Sequence, residues 1–197
     1  MTPNSGGIRI AVLCGSVRPG NYTRMAVDVV TASLSAHPDL SVDIVDPSEL
    51  DLPPPGLDGT SSSASELQEV VRGATALILA TPEYHGSFSS VMKLMIENLG
   101  FPSVLAGKPV ALLGVAGGSI GAIKSLEQLR GVCSHVGAIV LPGPVSVAHV
   151  RSAFNEEGEC IDSDVEARLQ GLGENLLGYI RTNLCPQMTL EAMVRAG

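Results

Sequence analysis

The chain has 197 residues, 45% hydrophobic and 16% charged, which is enough apolar material for one packed domain and too much for general disorder. Twelve Lys and Arg against 20 Asp and Glu leave a formal charge of −8. The lysines (Lys93, Lys108, Lys124) are far apart and the arginines are scattered, so no basic stripe offers itself to nucleic acid or to an anionic membrane surface.

Residues 1–7 are polar and read as a flexible tail, with neither the basic nor the apolar part of a secretory leader. Ile8 to Cys14 is an almost unbroken apolar, β-branched run, as expected of a strand covered on both faces. From Thr23 to His37 apolar residues recur with helical period until Pro38. Val42 to Val45 is a second strand, and Pro47 to Ser65, with three prolines and a serine run, reads as a long loop. Ser63 and Glu66 have capping-box spacing for a short helix to Arg72. Ala76 to Ala80 is the third strand; a helix then carries Val91, Leu94, Met95, Asn98 and Leu99. Val110 to Val115 is the fourth strand, followed by a helix through Leu126, Leu129, Cys133 and Val136. Ala138 to Leu141 is the fifth, and Ser163 with Glu166 opens a last long helix through Leu169, Leu172, Leu176 and Ile180.

Five strand–helix units in alternation predict an α/β three-layer sandwich around a doubly wound parallel sheet, formed by one domain over 8–185 with an extension at 186–197. No apolar run approaches the roughly 20 residues of a membrane span. The four cysteines (Cys14, Cys133, Cys160, Cys185) have neither C-x-x-C nor zinc spacing, so no metal site is expected and a reducing, cytoplasmic setting is.

In such sheets ligands lie beyond the carboxyl ends of the strands, and three loops there carry candidate chemistry. The first is Gly15-Ser16-Val17-Arg18-Pro19-Gly20-Asn21-Tyr22-Thr23. It matches neither the Walker loop nor G-x-G-x-x-G, but hydroxyls, an amide and a guanidinium before a helix suit a terminal phosphomonoester. An ordinary strand–helix turn capped by Thr23 is the alternative. The second, Thr81 to Ser87, carries Pro82, Glu83, Tyr84 and His85 on a stiff turn suited to a planar ring, or it merely ends a strand and caps a helix at Ser87. In the third, Gly117 and Gly118 let a flat ligand approach the backbone.

Together the loops resemble the NADPH-dependent FMN reductase family of flavodoxin-like quinone, azo and chromate reductases. The family's Gly-Ser-x-Arg-x-x-Ser is met by Gly15-Ser16-Val17-Arg18 with Thr23 close behind, and its Pro-Glu-Tyr-Asn-Gly-Ser by Pro82-Glu83-Tyr84-His85-Gly86-Ser87. Its small-residue loop before Gln-Leu-Arg is met by Gly117 to Gly121, then Gln128-Leu129-Arg130.

The resemblance implies a flavodoxin-like strand order 2-1-3-4-5 and FMN as cofactor. Ser16, Arg18, Asn21, Tyr22 and Thr23 would hold the phosphate and the start of the ribityl chain. Pro82, Glu83, Tyr84, His85 and Gly86 would line the isoalloxazine, with Gly117, Gly118 and Ser119 at its pyrimidine edge. The implied activity is ping-pong transfer of two electrons from NADPH or NADH through flavin to a small quinone, azo, chromate or ferric acceptor. No protein side chain is expected to carry the redox step. The competing reading is a non-enzymatic flavodoxin-type carrier or redox sensor, which the lack of Trp disfavours. His85 replaces the family Asn and is a candidate proton donor, or a neutral hydrogen-bonding substitute. The family's Lys-Asn-Ala-Ile-Asp stands as Lys93-Leu94-Met95-Ile96-Glu97. In the family this segment is thought to serve subunit contacts; alternatively, Lys93 and Glu97 are only an exposed i,i+4 pair. Members of the family are commonly dimers or tetramers, so the resemblance implies a homodimer or homotetramer.

Overall fold

The computed structural model describes residues 7–57, 61–185, 191 and 194. The rest of the expected tail and C-terminal extension lies outside the described residues. The apolar runs pair in parallel as β1 (Ile8–Cys14), β2 (Leu40–Val45), β3 (Ala76–Tyr84), β5 (Pro109–Val115) and β6 (Ile139–Val140), in the order β2-β1-β3-β5-β6. A two-residue strand, β4 (Ser87–Phe88), folds back antiparallel on β3. The main path is the expected 2-1-3-4-5 order, with this small hairpin added.

The fifth strand is interrupted. After β6 the chain crosses Pro142 and Pro144, which have no N–H to give a ladder, and resumes beside β5 as β7 (Val145–Val147). The edge position therefore runs further toward the carboxyl end of the sheet than Leu141.

Alternation along the strands builds two cores. Ile10, Val12, Ile78 and Leu113 face α1 (Tyr22–Leu34) and α6 (Ser163–Tyr179), against Val27, Val30, Leu169 and Leu176. Ala11, Leu13, Leu79 and Leu112 face α2 (Ser62–Gly73), α3 (Ser90–Glu97) and α4 (Ile123–His135), against Leu67, Met92, Met95 and Leu129. A short helix, α5 (Val150–Ala153), follows β7, and α6 runs on into a wider π-type turn at Ile180–Leu184.

The helix starts differ from the expected caps. Asn21, not Thr23, caps α1 by accepting from the Arg24 N–H at 2.8 Å. Ser89, not Ser87, caps α3 by accepting from Met92 N–H. Asp162 caps α6, taking the N–H groups of Asp164 and Val165, so Ser163 is the first helical residue rather than the cap. α2 starts at Ser62 after Ser61, and the Ser63 hydroxyl accepts instead from Asp51 N–H at 3.1 Å. The described residues of the expected loop at 47–65 are tied by that contact, a single 3₁₀ turn at Pro47–Glu49 and the first turn of α2.

Candidate functional site

The strand order reverses between β1 and β3, and their carboxyl ends are in register at Cys14 and Ala80. Two buried hydroxyls lock the loops that follow. Thr81 Oγ1 accepts from Ser89 N–H at 3.1 Å and donates to the Pro82 carbonyl at 3.0 Å. Ser89 Oγ donates across to the Gly15 carbonyl at 2.6 Å. Gly15 is required by this approach, since a Cβ there would lie 2.9 Å from the Ala80 carbonyl oxygen.

Over these ends lies a cavity of about 230 Å³, lined by Ser16 and by residues 18–23, 82–84, 115–117, 150 and 151. The structure therefore brings together Ser16, Arg18, Asn21, Tyr22, Thr23, Pro82, Glu83, Tyr84 and Gly117 of the expected set. It places His85 and Gly86 at a turn tip beside the cavity rather than in its wall, and Gly118 and Ser119 one and two residues beyond it.

Each lining side chain has a defined state. Ser16 is 4% exposed and its Oγ has no hydrogen-bond partner among the described residues. Asn21 spends its amide on the loop itself, with Nδ2 donating to the Arg18 carbonyl at 2.7 Å and Oδ1 capping α1. Arg18 lies over the Tyr84 ring, 4.8 Å from the centroid, a cation–π contact that ties the first loop to the second. Tyr22 rests against Phe154 at 6.3 Å, which holds the start of α1 beside α5. Glu83 Oε2 accepts from Ser125 N–H at 3.1 Å, at the positive N-terminus of α4. Below the first loop, burial pushes the Cys14 thiol up to about 11, opposed by the Ser16 N–H that it accepts.

Tyr84-His85-Gly86-Ser87 is a two-residue hairpin turn, since Tyr84 pairs with Ser87 and the central residues have φ of 52° and 74°. Both signs are those of a type I′ turn, which favours Asn followed by Gly. His also tolerates the left-handed region better than most side chains, which explains why it can stand there.

The third loop is fixed from the edge strand. Ala116 N–H donates to the Val147 carbonyl at 2.9 Å, Val150 N–H to Ala116 at 3.0 Å and His149 N–H to Gly118 at 3.2 Å. These bonds bring a fourth loop, 148–151, onto the site. Val150 and Arg151 were missed because the sequence reading ends the fifth strand at Leu141. The alternating Val145-Ser146-Val147 was the signal that it resumes.

The donor set suits a phosphorylated planar cofactor. A buried, unpartnered hydroxyl and an arginine free of ion pairs among the described residues stand beside the first turn of a 13-residue helix, whose first N–H groups have no intrahelical acceptor. A Cβ added at Gly117 or Gly118 would meet nothing within 4 Å, so that side is open to a flat ring.

A crevice of this composition at the switch point of a doubly wound sheet marks a class of nucleotide-type cofactor proteins. The sequence model of the NADPH-dependent FMN reductase family matches residues 8–152, and the chain belongs to that family. It is 29% identical over 179 residues to a 2-hydroxy-1,4-benzoquinone reductase of a Burkholderia species, covering 88% of this chain and 97% of the relative. It is 31% identical over 142 residues to an FMN-dependent NADPH-azoreductase of Staphylococcus haemolyticus, covering 68% and 74%. Among solved structures, the NAD(P)H:acceptor oxidoreductase FerB of Paracoccus denitrificans superposes with a TM-score of 0.74 at 23% identity, over 88% of this chain and 97% of that one. Its likeness is one of fold. The protein is an FMN-dependent oxidoreductase that uses NADPH, and the carrier reading gives way to the reductase.

Proposed function

We propose that the chain reduces small quinones and azo compounds with electrons from NADPH, through FMN held in the cavity over β1 and β3. The observation that carries the placement is the buried Ser16 hydroxyl, without a hydrogen-bond partner among the described residues, on the same cavity wall as Arg18 and the first residues of α1. Bound there, FMN supplies two-electron chemistry and can pass electrons to such acceptors.

The chain's own residues bind and orient. Ser16, Arg18 and Thr23, with the N–H groups of Tyr22 and Thr23 at the start of α1, would hold the phosphate, where a guanidinium against a dianion makes charge-assisted bonds. Asn21 shapes the loop that presents these groups, Tyr22 walls it, and Arg151 adds a second cation from the far rim. Pro82, Glu83 and Tyr84 flank the ring, with His85 and Gly86 in the turn at its margin. Gly117, Gly118 and Ser119 would present backbone to its pyrimidine edge, where N–H groups would stabilise negative charge. His85 stands exposed at the turn tip, where it can exchange protons with solvent for an acceptor arriving at the mouth. Superimposable pH–rate profiles for wild type and His85→Asn would remove that role.

Acceptor classes follow the named relatives. We further propose a single functional domain over 8–185, a reducing cytoplasmic setting in keeping with four cysteines of neither C-x-x-C nor zinc spacing, and self-association. Among the described residues no helix is long and apolar enough to cross a membrane. Self-association is supported by Phe101, wholly exposed on a groove lined by Ile96, Pro102, Val132 and Val136 between α3 and α4. If this face pairs copies, Phe101→Ser lowers the mass measured by light scattering.

The deciding experiment is the visible spectrum after loading with FMN, followed by anaerobic NADPH and then a benzoquinone or azo dye. Bleaching by NADPH and recovery on adding acceptor is expected. A protein that neither binds FMN nor bleaches overturns the proposal.

A further inference from the structure

The turn that carries the site's second signature is poorly held by its own hairpin. β3 and β4 share only two pairs, Glu83 with Phe88 and Tyr84 with Ser87, and a ribbon that short is marginal in water. The turn also keeps His85 in the left-handed region, which disfavours non-glycine residues.

Support comes from α4. Gln128 stands four residues after Lys124 and three after Ser125, so each of them neighbours it on the first turns of the helix. Ser125 N–H holds Glu83, and the Lys124 stem lies beside Gly86, close enough that a Cβ there would be 3.6 Å from its Cδ. Gln128 grips the turn at two successive residues. Its Nε2 donates to the Gly86 carbonyl and its Oε1 accepts from Ser87 Oγ, both at 2.8 Å. Gln128 is exposed and lies off the core face that Leu126, Leu129 and Cys133 form. Packing of α4 therefore does not account for it, whereas both ends of its amide are committed to the turn.

We propose that Gln128 is a positioning residue for FMN binding, acting through Gly86 and Ser87 to fix the 84–87 turn against the cavity that Glu83 and Tyr84 line. The proposal rests on the FMN reading above. Gln128, Gly86 and Ser87 all lie outside the cavity wall, so the glutamine would act by setting where the turn stands.

The test uses Gln128→Met, which keeps length and helix preference but neither hydrogen bond, and Gln128→Glu, which keeps the acceptor for Ser87 but loses the donor to Gly86. In cofactor-free protein, held well below its melting temperature, amide exchange over 84–88 should speed up in Gln128→Met. FMN fluorescence titration should show a Kd raised roughly 5- to 30-fold, with Gln128→Glu also weakened. Adding Ser87→Ala to Gln128→Met should change Kd little further, because the two act as one unit. Unchanged exchange, faster exchange with unchanged Kd, or strictly additive effects of Ser87→Ala and Gln128→Met overturns the proposal. If Gln128→Met does not fold, Gln128→Glu and Ser87→Ala carry the same comparison. Wild-type protein that leaves FMN fluorescence unquenched marks instead the failure of the cofactor reading, and the proposal falls with it.

Discussion

Replacing Ser16 with alanine is expected to move two measurements in opposite directions. In the cofactor-free chain the Ser16 hydroxyl is buried without a hydrogen-bond partner among the described residues. An unsatisfied buried polar group costs about 1–3 kcal/mol. Alanine removes the hydroxyl and leaves the small volume of the site almost unchanged. With access to water from the adjoining cavity taken into account, a gain of about 1 kcal/mol is expected. For a chain of this size that raises Tm by about 2–4 °C. With FMN the sign reverses: a hydroxyl given to a phosphate oxygen is a charge-assisted bond worth about 1.5–3 kcal/mol, so Kd rises roughly 10- to 150-fold. Riboflavin, which has the same ring and no phosphate, is the internal control, and its affinity should hardly change. Thermal melts without cofactor and fluorescence titrations with FMN and riboflavin read all three quantities on one protein. The reasoning is refuted if Ser16→Ala melts lower than wild type without cofactor, or if riboflavin binding falls as much as FMN binding.

Arg151→Ala should weaken FMN about 5- to 10-fold while sparing riboflavin, the mark of a phosphate contact; equal loss for both ligands refutes that role. Gly15→Ala places a Cβ 2.9 Å from a backbone carbonyl oxygen and should cost about 1–3 kcal/mol in denaturant melts. Gly117→Ala meets nothing within 4 Å and should leave the melt within about 0.5 kcal/mol of wild type. Its FMN affinity should nevertheless fall if the ring edge lies against Gly117 as proposed, because the added methyl would project into that space. Burial holds the Cys14 thiol near 11 and that of Cys133 near 12. At pH 8 about one Cys14 in a thousand and one Cys133 in ten thousand are thiolates, so native alkylation should be slow and rise roughly tenfold per pH unit. Rapid labelling of Cys14 by iodoacetamide at pH 8, read by peptide mass mapping, contradicts the buried placement.

The strands were legible because the central ones are covered on both faces, which leaves runs such as Ala76 to Ala80 almost free of polar residues. The two signature loops were legible because their chemistry is local in sequence. The caps were not. Ser63 and Ser163 each follow another residue able to cap, Ser61 with Ser62 and Asp162, and spacing alone cannot choose between neighbours one or two residues apart. Contacts over long separations were also invisible. The glutamine that grips Gly86 lies 42 residues away, and Arg151 reaches the site only because Pro142 and Pro144 interrupt the last strand and let it resume as β7.

The acidity of the chain sharpens what the site must do. Against a field set by 20 carboxylates and 12 basic side chains, a phosphate is admitted only if local charge overrides the average. The cavity wall contains one acid, Glu83, and two arginines, Arg18 and Arg151. Glu83 is turned to the N-terminus of α4 by its bond to Ser125 N–H, so its charge is met there by backbone and helix dipole. Arg18 faces Tyr84 and is free of ion pairs among the described residues, whereas Arg24, in the first turn of α1, is bound to Asp28 at 2.8 Å and lies 3.8 Å from Asp46. Helix α1 thus carries a neutralised arginine in its first turn, while the loop that leads into it presents one free of ion pairs among the described residues. That division lets a strongly acidic protein keep a cationic pocket without a basic surface. It predicts that FMN affinity weakens with salt far more than riboflavin affinity, and equal salt dependence for the two would show that the phosphate is held without the arginines.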